Sequence, residues 1–303
     1  MKQHILITGA TGMIGKKLIA ELLQLGHTVS ILTRKLVKIK DVKVFLWNVD
    51  KGEIDPGCMT GVDTIVHLAG AGIADQKWTK ERKKQIIDSR VDSTALLYKT
   101  IKETNAAVKS FVSSSASGFY GDRGDEILSE DSNAGDGFLA ECCVLWENAV
   151  DQGKALNLRV VKLRTGFVLG RKGGGLPTLA KPIRLFVGAA LGTGKQWVPW
   201  IHIDDIVAMY LDAIENTAIE GAYNGCAPFP VTNETLTKSV AKQLNRPVWP
   251  INVPEKVLEM ILGKMSVVVT TSTNLSAQKI LDGGFKFKYT HLEDALTAIY
   301  KND

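Results

Sequence analysis

Thr8-Gly9-Ala10-Thr11-Gly12-Met13-Ile14-Gly15 is the stretch of this chain best suited to chemistry. Its glycines recur at 9, 12 and 15. The first permits a sharp bend. The second lets backbone approach a pyrophosphate, and the third lets the following helix pack closely on the preceding strand. Backbone N–H groups at the positive end of that helix would hold the phosphates. A bare glycine triplet is a weak signal, but this one lies between a strand pattern and an amphipathic helix pattern. Gly9, Thr11, Gly12, Met13, Ile14 and Gly15 are therefore the expected dinucleotide contacts. Where NAD-binding chains place an acid to accept the ribose 2′-hydroxyl, Thr33-Arg34-Lys35 stands instead. Two cations remove that acceptor and suit a 2′-phosphate, and a guanidinium also stacks on adenine. Arg34 and Lys35 thus point to NADP(H).

A strand before the turn and a helix after it must position these groups. His4–Thr8 is a short apolar, β-branched run suited to a buried parallel strand. Ile14, Leu18 and Leu22 form one helix stripe that Gly26 ends. Further strands are predicted over 28–33, 42–49, 63–68, 110–114 and 158–163, with helices over 79–103 and 138–150. This alternation predicts an α/β fold, a Rossmann-type doubly wound parallel sheet with helices on both faces. After about residue 166 glycines cluster at 173–175, 188, 192 and 194, and Pro228, Pro230, Pro247, Pro250 and Pro254 break the chain into short pieces. The expected organisation is a nucleotide-binding domain over 1–165 plus about 201–220, and a smaller C-terminal α+β substrate lobe over 166–200 and 221–303.

Composition excludes several classes. The 303 residues are 45% hydrophobic and 23% charged, which is globular material long enough to bury a core without staples. No apolar run approaches the ~18 residues of a membrane span. No charged-then-apolar leader precedes the first strand. Cys58, Cys142, Cys143 and Cys226 form no CxxC pair and read as reduced thiols, so a cytoplasmic location is expected. The net charge of +5 is spread along the chain. Its densest run, Lys80-Glu81-Arg82-Lys83-Lys84, is broken by an acid and reads as a solvated helix face. His4, His27, His67 and His291 show no ligand spacing, so no metal site is expected. The expected partner is a small-molecule substrate, with neither nucleic acid nor membrane.

Motifs further along narrow the reading. The glycine turn, His67-Leu68-Ala69-Gly70, and Ser113-Ser114-Ser115 followed by Tyr120-Gly121-Asp122 resemble the extended short-chain dehydrogenase/reductase superfamily, which includes nucleotide-sugar epimerases and dehydratases. Trp78-Thr79, Ser89-Arg90-Val91, Phe138-Leu139-Ala140-Glu141, Trp200-Ile201-His202-Ile203-Asp204-Asp205 and Gly284-Phe285-Lys286-Phe287 resemble its "epimerase family" branch, which has a C-terminal domain of its own. The resemblance spans essentially the whole chain. It implies an NADP-dependent epimerase or oxidoreductase acting on a carbonyl or hydroxyl substrate, nucleotide sugars included. It adds Leu68, Ala69, Gly70, Ser113 and Arg164 to the expected cofactor contacts.

The superfamily's catalytic pair is a Tyr and a Lys four residues apart on one face of the helix after the 110–114 strand. The lysine lowers the tyrosine pKa and holds the nicotinamide ribose, while the tyrosine passes a proton. Here those positions hold Phe138 and Cys142. Phe has no exchangeable proton, and Cys brings no fixed positive charge. Tyr98 and Lys102 repeat the spacing on the wrong helix. Ser115, at the level where the superfamily orients substrate, and Tyr120 on the same loop are the expected catalytic replacements, with Arg164 as a cation to lower the Tyr120 pKa. Trp197, Trp200 and His202 are expected to contact substrate. Asp204 or Asp205 is expected to cap a helix. The loop at glycines 173–175, beside Arg171, Lys172 and Arg184, is expected to fold over an anionic ligand. Two functions follow, an NADP-dependent enzyme or a cofactor-binding sensor without turnover. Ser115 and Tyr120 favour the first, Phe138 and Cys142 the second.

Overall fold

The computed structural model describes residues 1–301. From the amino end, β1 (His4–Thr8) leads through the glycine turn into α1 (Met13–Gln24), followed by β2 (Thr28–Thr33), β3 (Val42–Asn48) and the short β4 (Glu53–Ile54). Next come β5 (Thr64–His67), α2 (Lys80–Thr104), β6 (Ser110–Ala116), α3 (Phe138–Asp151) and β7 (Arg159–Thr165). Then α4 (Leu176–Arg184), α5 (Ile203–Glu215), β8 (Gly221–Gly225), α6 (Asn233–Gln243), α7 (Glu255–Leu262) and α8 (Leu292–Tyr300) complete the main elements. Every predicted strand and helix of the first half forms, with ends shifted by one or two residues.

The sheet runs β8-β7-β6-β5-β1-β2-β3-β4, all parallel except β4 on the outer edge. The chain moves outward from β1 to β2 and β3, then returns to β5 on the other side. The strand order therefore reverses between β1 and β5, and ligands of such sheets bind at that switch point, beyond the carboxyl ends of the strands.

Side-chain alternation on β1 shows why both faces are covered. Ile5 and Ile7 meet Leu18 and Leu22 of α1 and Tyr210 and Ile214 of α5. Leu6 between them faces the other way, toward Leu97 and Ile101 of α2 and Trp146 and Val150 of α3. Each such fully buried aliphatic side chain contributes about 1.5–3 kcal/mol. The start of α2 is fixed by Thr79, whose hydroxyl accepts the Arg82 N–H at 3.1 Å.

The lobe packs α4, α6 and α8 around Trp200, Leu236 and Leu296. Short strand pairs, such as Phe167–Leu169 with Trp200–His202, join it to the sheet domain. One predicted boundary moves. The segment 221–225 was expected in the lobe, but β8 pairs in parallel with β7 and closes the sheet edge. Its sequence, GAYNG, carries too little hydropathy to announce a strand. Among the described residues no helix is long and apolar enough to cross a membrane.

Candidate functional site

At the switch point, the turn from β1 to α1 is shaped by contacts that exclude a side chain. Gly9 has φ +68°, and a Cβ there would stand 2.6 Å from the Leu68 carbonyl carbon. A Cβ on Gly15 would stand 2.7 Å from the Gly9 oxygen. The turn therefore lies flat on the end of β5, and α1 lies flat on the turn. The Gly12 N–H donates to the Gly9 carbonyl at 3.0 Å, and no side chain caps α1. Thr11 and Gly12 are exposed, while Met13 and Ile14 are half-buried. The first-turn N–H groups of α1 thus keep the helix's positive end open to a phosphate.

Thr8 locks the turn to the neighbouring strand. Its hydroxyl oxygen accepts the N–H groups of Leu68 at 3.2 Å and Ala69 at 3.1 Å, and it meets His67 Nδ1 at 2.7 Å. With its lone pairs so used, the hydroxyl gives its proton to Nδ1, leaving Nε2–H to donate to Ser93 Oγ at 3.0 Å. Burial, with the Arg90 charge adding to it, pulls the His67 pKa down to about 3, so the ring stays neutral. Leu68 and Ala69 are half-buried and Gly70 exposed at the end of this strand, whereas Ser113 is fully buried with its hydroxyl donating to the Ser114 carbonyl. Past β2, Arg34 and Lys35 stand exposed.

The expected catalytic group is differently disposed. Ser115, Tyr120 and Arg164 do come together, but inside the protein. Arg164, 5% exposed, donates from Nε to Glu147 Oε1 at 2.8 Å, from Nη2 to Oε2 at 3.0 Å, and from Nη1 to the Tyr120 oxygen at 2.9 Å. Ser115 donates to Glu147 Oε1 at 2.7 Å, and the Tyr120 hydroxyl donates to Asn224 Oδ1 at 2.7 Å. Arg164 is thus corrected from a cofactor contact to the centre of a buried ion pair. Tyr120 is corrected likewise. Burial pushes its phenol up to about 12 although Arg164 and Asn224 act in the opposite direction, so it holds its proton. Burial alone would raise the Glu147 carboxyl, but the hydrogen bonds and charge of Arg164, with Ser115 and Lys162, outweigh it and hold the pKa below its ordinary value.

Phe138 packs edge-on against Trp78 with centroids 4.8 Å apart, and the Lys83 ammonium lies 4.6 Å from its ring centroid. Cys142 is buried. In the lobe, Trp200 is fully buried with its indole N–H on the Phe229 carbonyl at 2.9 Å, which removes it from the substrate contacts. His202 is likewise internal. Its Nδ1 accepts the Asp204 N–H at 3.1 Å and caps α5, a role expected of Asp204 or Asp205. Burial pulls the His202 pKa down to about 4. Asp205 instead accepts the N–H groups of Lys288 and Tyr289 at 2.7 and 3.1 Å. Trp197 stays half-buried, with its N–H on Asp125 at 2.8 Å. The glycine loop lies against the start of α1, where a Cβ on Gly174 would stand 3.1 Å from the Met13 methyl carbon. Beside it lies a cavity of about 330 Å³ lined by Met13, Lys16, Lys17, Gly170, Arg171, Lys172 and Ile203.

Comparison with known proteins matches this geometry. A profile described as the NAD dependent epimerase/dehydratase family covers residues 5–225, from β1 through β8. The chain belongs to that family. Residues 253–299 match a further profile described as a domain of unknown function, DUF1731. Among epimerase/dehydratase relatives, the chain is 34% identical to the chloroplastic epimerase family protein SDR39U1 homolog of Arabidopsis thaliana, over 97% of this chain and 85% of that one. It is 33% identical to the epimerase family protein YfhF of Bacillus subtilis, over 98% and 97%. The crystal structure of the human epimerase family protein SDR39U1 with NADPH superposes with a TM-score of 0.86 at 27% identity, covering 99% of this chain and all of that one.

Two members of the buried networks, Glu147 and Asn224, escaped sequence reasoning. Glu147 had a usable signal, since it stands between Trp146 and Val150 on an otherwise apolar helix face. Asn224 had none, because it lies in the strand that the pattern hid.

Proposed function

We propose that this chain binds NADP(H) and works as an epimerase or oxidoreductase of the extended short-chain dehydrogenase type, acting on a small carbonyl or hydroxyl substrate without a Tyr-x-x-x-Lys pair. Nucleotide sugars are one substrate class that fits. The reading rests on the glycine cradle, where a Cβ at Gly9 or Gly15 would collide with backbone and the first turn of α1 is left uncapped. When bound, the nicotinamide supplies hydride transfer to or from a substrate carbon. The chain's own residues supply position. Met13 and Ile14 N–H groups hold phosphate oxygens, Arg34 and Lys35 take the 2′-phosphate, and Leu68, Ala69 and Gly70 form the floor beneath the cofactor. The human relative crystallised with NADPH supports the choice of cofactor. Calorimetric titration tests it. The expected result is NADPH binding at least about tenfold tighter than NADH, a preference that Arg34→Met/Lys35→Met removes. Equal affinities in the wild type overturn the NADP preference, and heat with neither nucleotide overturns the whole reading.

A second reading, a non-catalytic NADP(H)-binding sensor or scaffold, is favoured by the burial of the Ser115 and Tyr120 hydroxyls in a satisfied network. Product analysis over sugar nucleotides and carbonyl compounds separates the two, because a redox-neutral epimerase changes product stereochemistry without changing absorbance. An inverted or oxidised product supports the enzyme. Tight NADPH binding with no product and a partner protein in pull-downs supports the sensor.

A further inference from the structure

Where the Tyr-x-x-x-Lys pattern would place a lysine, Cys142 leaves α3 without a cation, yet a cation is present there from another helix. Arg90 of α2 is 7% exposed, and its guanidinium carbon lies 5.0 Å from the ring centroid of Trp146, one turn beyond Cys142 on α3. The guanidinium backs directly onto the end of β5, since a Cβ on Gly70 would stand 3.0 Å from its central carbon. Gly70 in turn follows Leu68 and Ala69, against which the Gly9 turn is pressed. Arg90 is thus one residue layer from the cradle. Nη1 donates to the carbonyls of Ala71 at 3.1 Å and Ile86 at 2.8 Å, while Nε is buried with no partner. No carboxylate among the described residues pairs with it. A buried cation with no anion beside it and an unpartnered Nε points to an oxygen-rich ligand that completes it.

We propose that Arg90 takes over the positioning role of the absent lysine, fixing the nicotinamide-ribose end of the bound cofactor from α2 through the strand end at Gly70. The proposal rests on the NADP(H) reading above, and its test separates the two. Wild type, Arg90→Gln, Arg90→Lys and Arg90→Gln/Cys142→Lys are titrated with NADPH, followed by nicotinamide fluorescence, and with adenosine 2′,5′-bisphosphate, which lacks the nicotinamide half. R90Q is expected to weaken NADPH about tenfold or more while leaving the bisphosphate within about twofold. R90K, and the double variant that returns a cation from α3, are expected to recover NADPH affinity to within about threefold. Equal losses on both ligands, no loss on NADPH, or an R90K as weak as R90Q would mean that only the bonds to Ala71 and Ile86 matter, and would overturn the assignment. A wild type that binds neither ligand overturns the cofactor reading with it. Should R90Q lack a cooperative melt, R90K decides alone. Unchanged bisphosphate affinity with altered NADPH emission supports the assignment, and unaltered emission overturns it.

Discussion

Removing Glu147 should expose how much the buried network contributes. The carboxylate accepts from Ser115 at 2.7 Å and from Arg164 at 2.8 and 3.0 Å, with Lys162 Nζ at 3.4 Å. Glu147→Ala leaves Arg164 charged and buried, and stranding one member of such a pair costs about 3–5 kcal/mol. Arg164 keeps the Tyr120 oxygen and the Glu130 carbonyl, and Lys162 keeps Asp151 at 2.7 Å. Those residual partners put the expected loss near the lower end, about 3–4 kcal/mol, a large share of a typical total of about 5–15 kcal/mol. Arg164→Met alone should cost a similar amount. The double variant Glu147→Leu/Arg164→Met removes both charges together and should cost far less than the sum, with a coupling of about 3 kcal/mol or more. Urea midpoints followed by far-UV circular dichroism at pH 7.5 read all three. Single losses that add to within about 0.5 kcal/mol would refute the claim that these two side chains depend on each other. NADPH affinity should stay unchanged in any variant that folds.

Further outcomes follow from the same geometry. Gly9→Ala combines a left-handed φ with a backbone collision at Leu68, so it should lose about 3 kcal/mol or more and weaken NADPH binding; a thermal melt and a titration both within about 0.5 kcal/mol of wild type would contradict the cradle. Tyr120→Phe removes one donor to Asn224 and one acceptor from Arg164, so it should lower the urea midpoint by about 1–3 kcal/mol equivalent while leaving NADPH affinity as it was. His67 is held at a pKa of about 3, below its unfolded value, so the stability it contributes is present above about pH 6.5 and is lost as pH falls toward 3. Between pH 7 and 5 that share is about 2 kcal/mol, and His67→Gln should flatten the pH dependence of the urea midpoint by that amount; an unchanged slope would show the ring to be protonated in the native state.

The half of the fold before residue 166 was legible because β1, β2 and β5 are short apolar runs buried on both faces, and because glycine at 9 and 15 has a steric reason at each position. β8 was not, since GAYNG is stabilised by its neighbour in the sheet and by Glu130, whose carboxylate accepts the Asn224 N–H at 2.7 Å. Local pattern carries no trace of a partner ninety-four residues away. The lobe was legible only as a change of composition, because its core is assembled from α4, α6 and α8, which are distant in sequence.

The catalytic expectations went astray for a related reason. Ser115 was expected on a loop past its strand but lies within β6, and Arg164 lies within β7, where a strand presents side chains alternately to its two faces. Which way each one points depends on what the helix offers, and α3 offers Glu147. The carboxylate on that face accepts from Arg164 and from the Ser115 hydroxyl, while the Tyr120 hydroxyl bonds Arg164 and Asn224, so three polar groups that look like a site in one dimension become part of a buried network in three. The same helix carries Phe138 and Cys142 where the pair would stand, and two of its aromatic rings, Phe138 and Trp146, carry cations from α2, Lys83 on one and Arg90 on the other. Positive charge beside α3 is therefore supplied by α2 rather than by α3 itself.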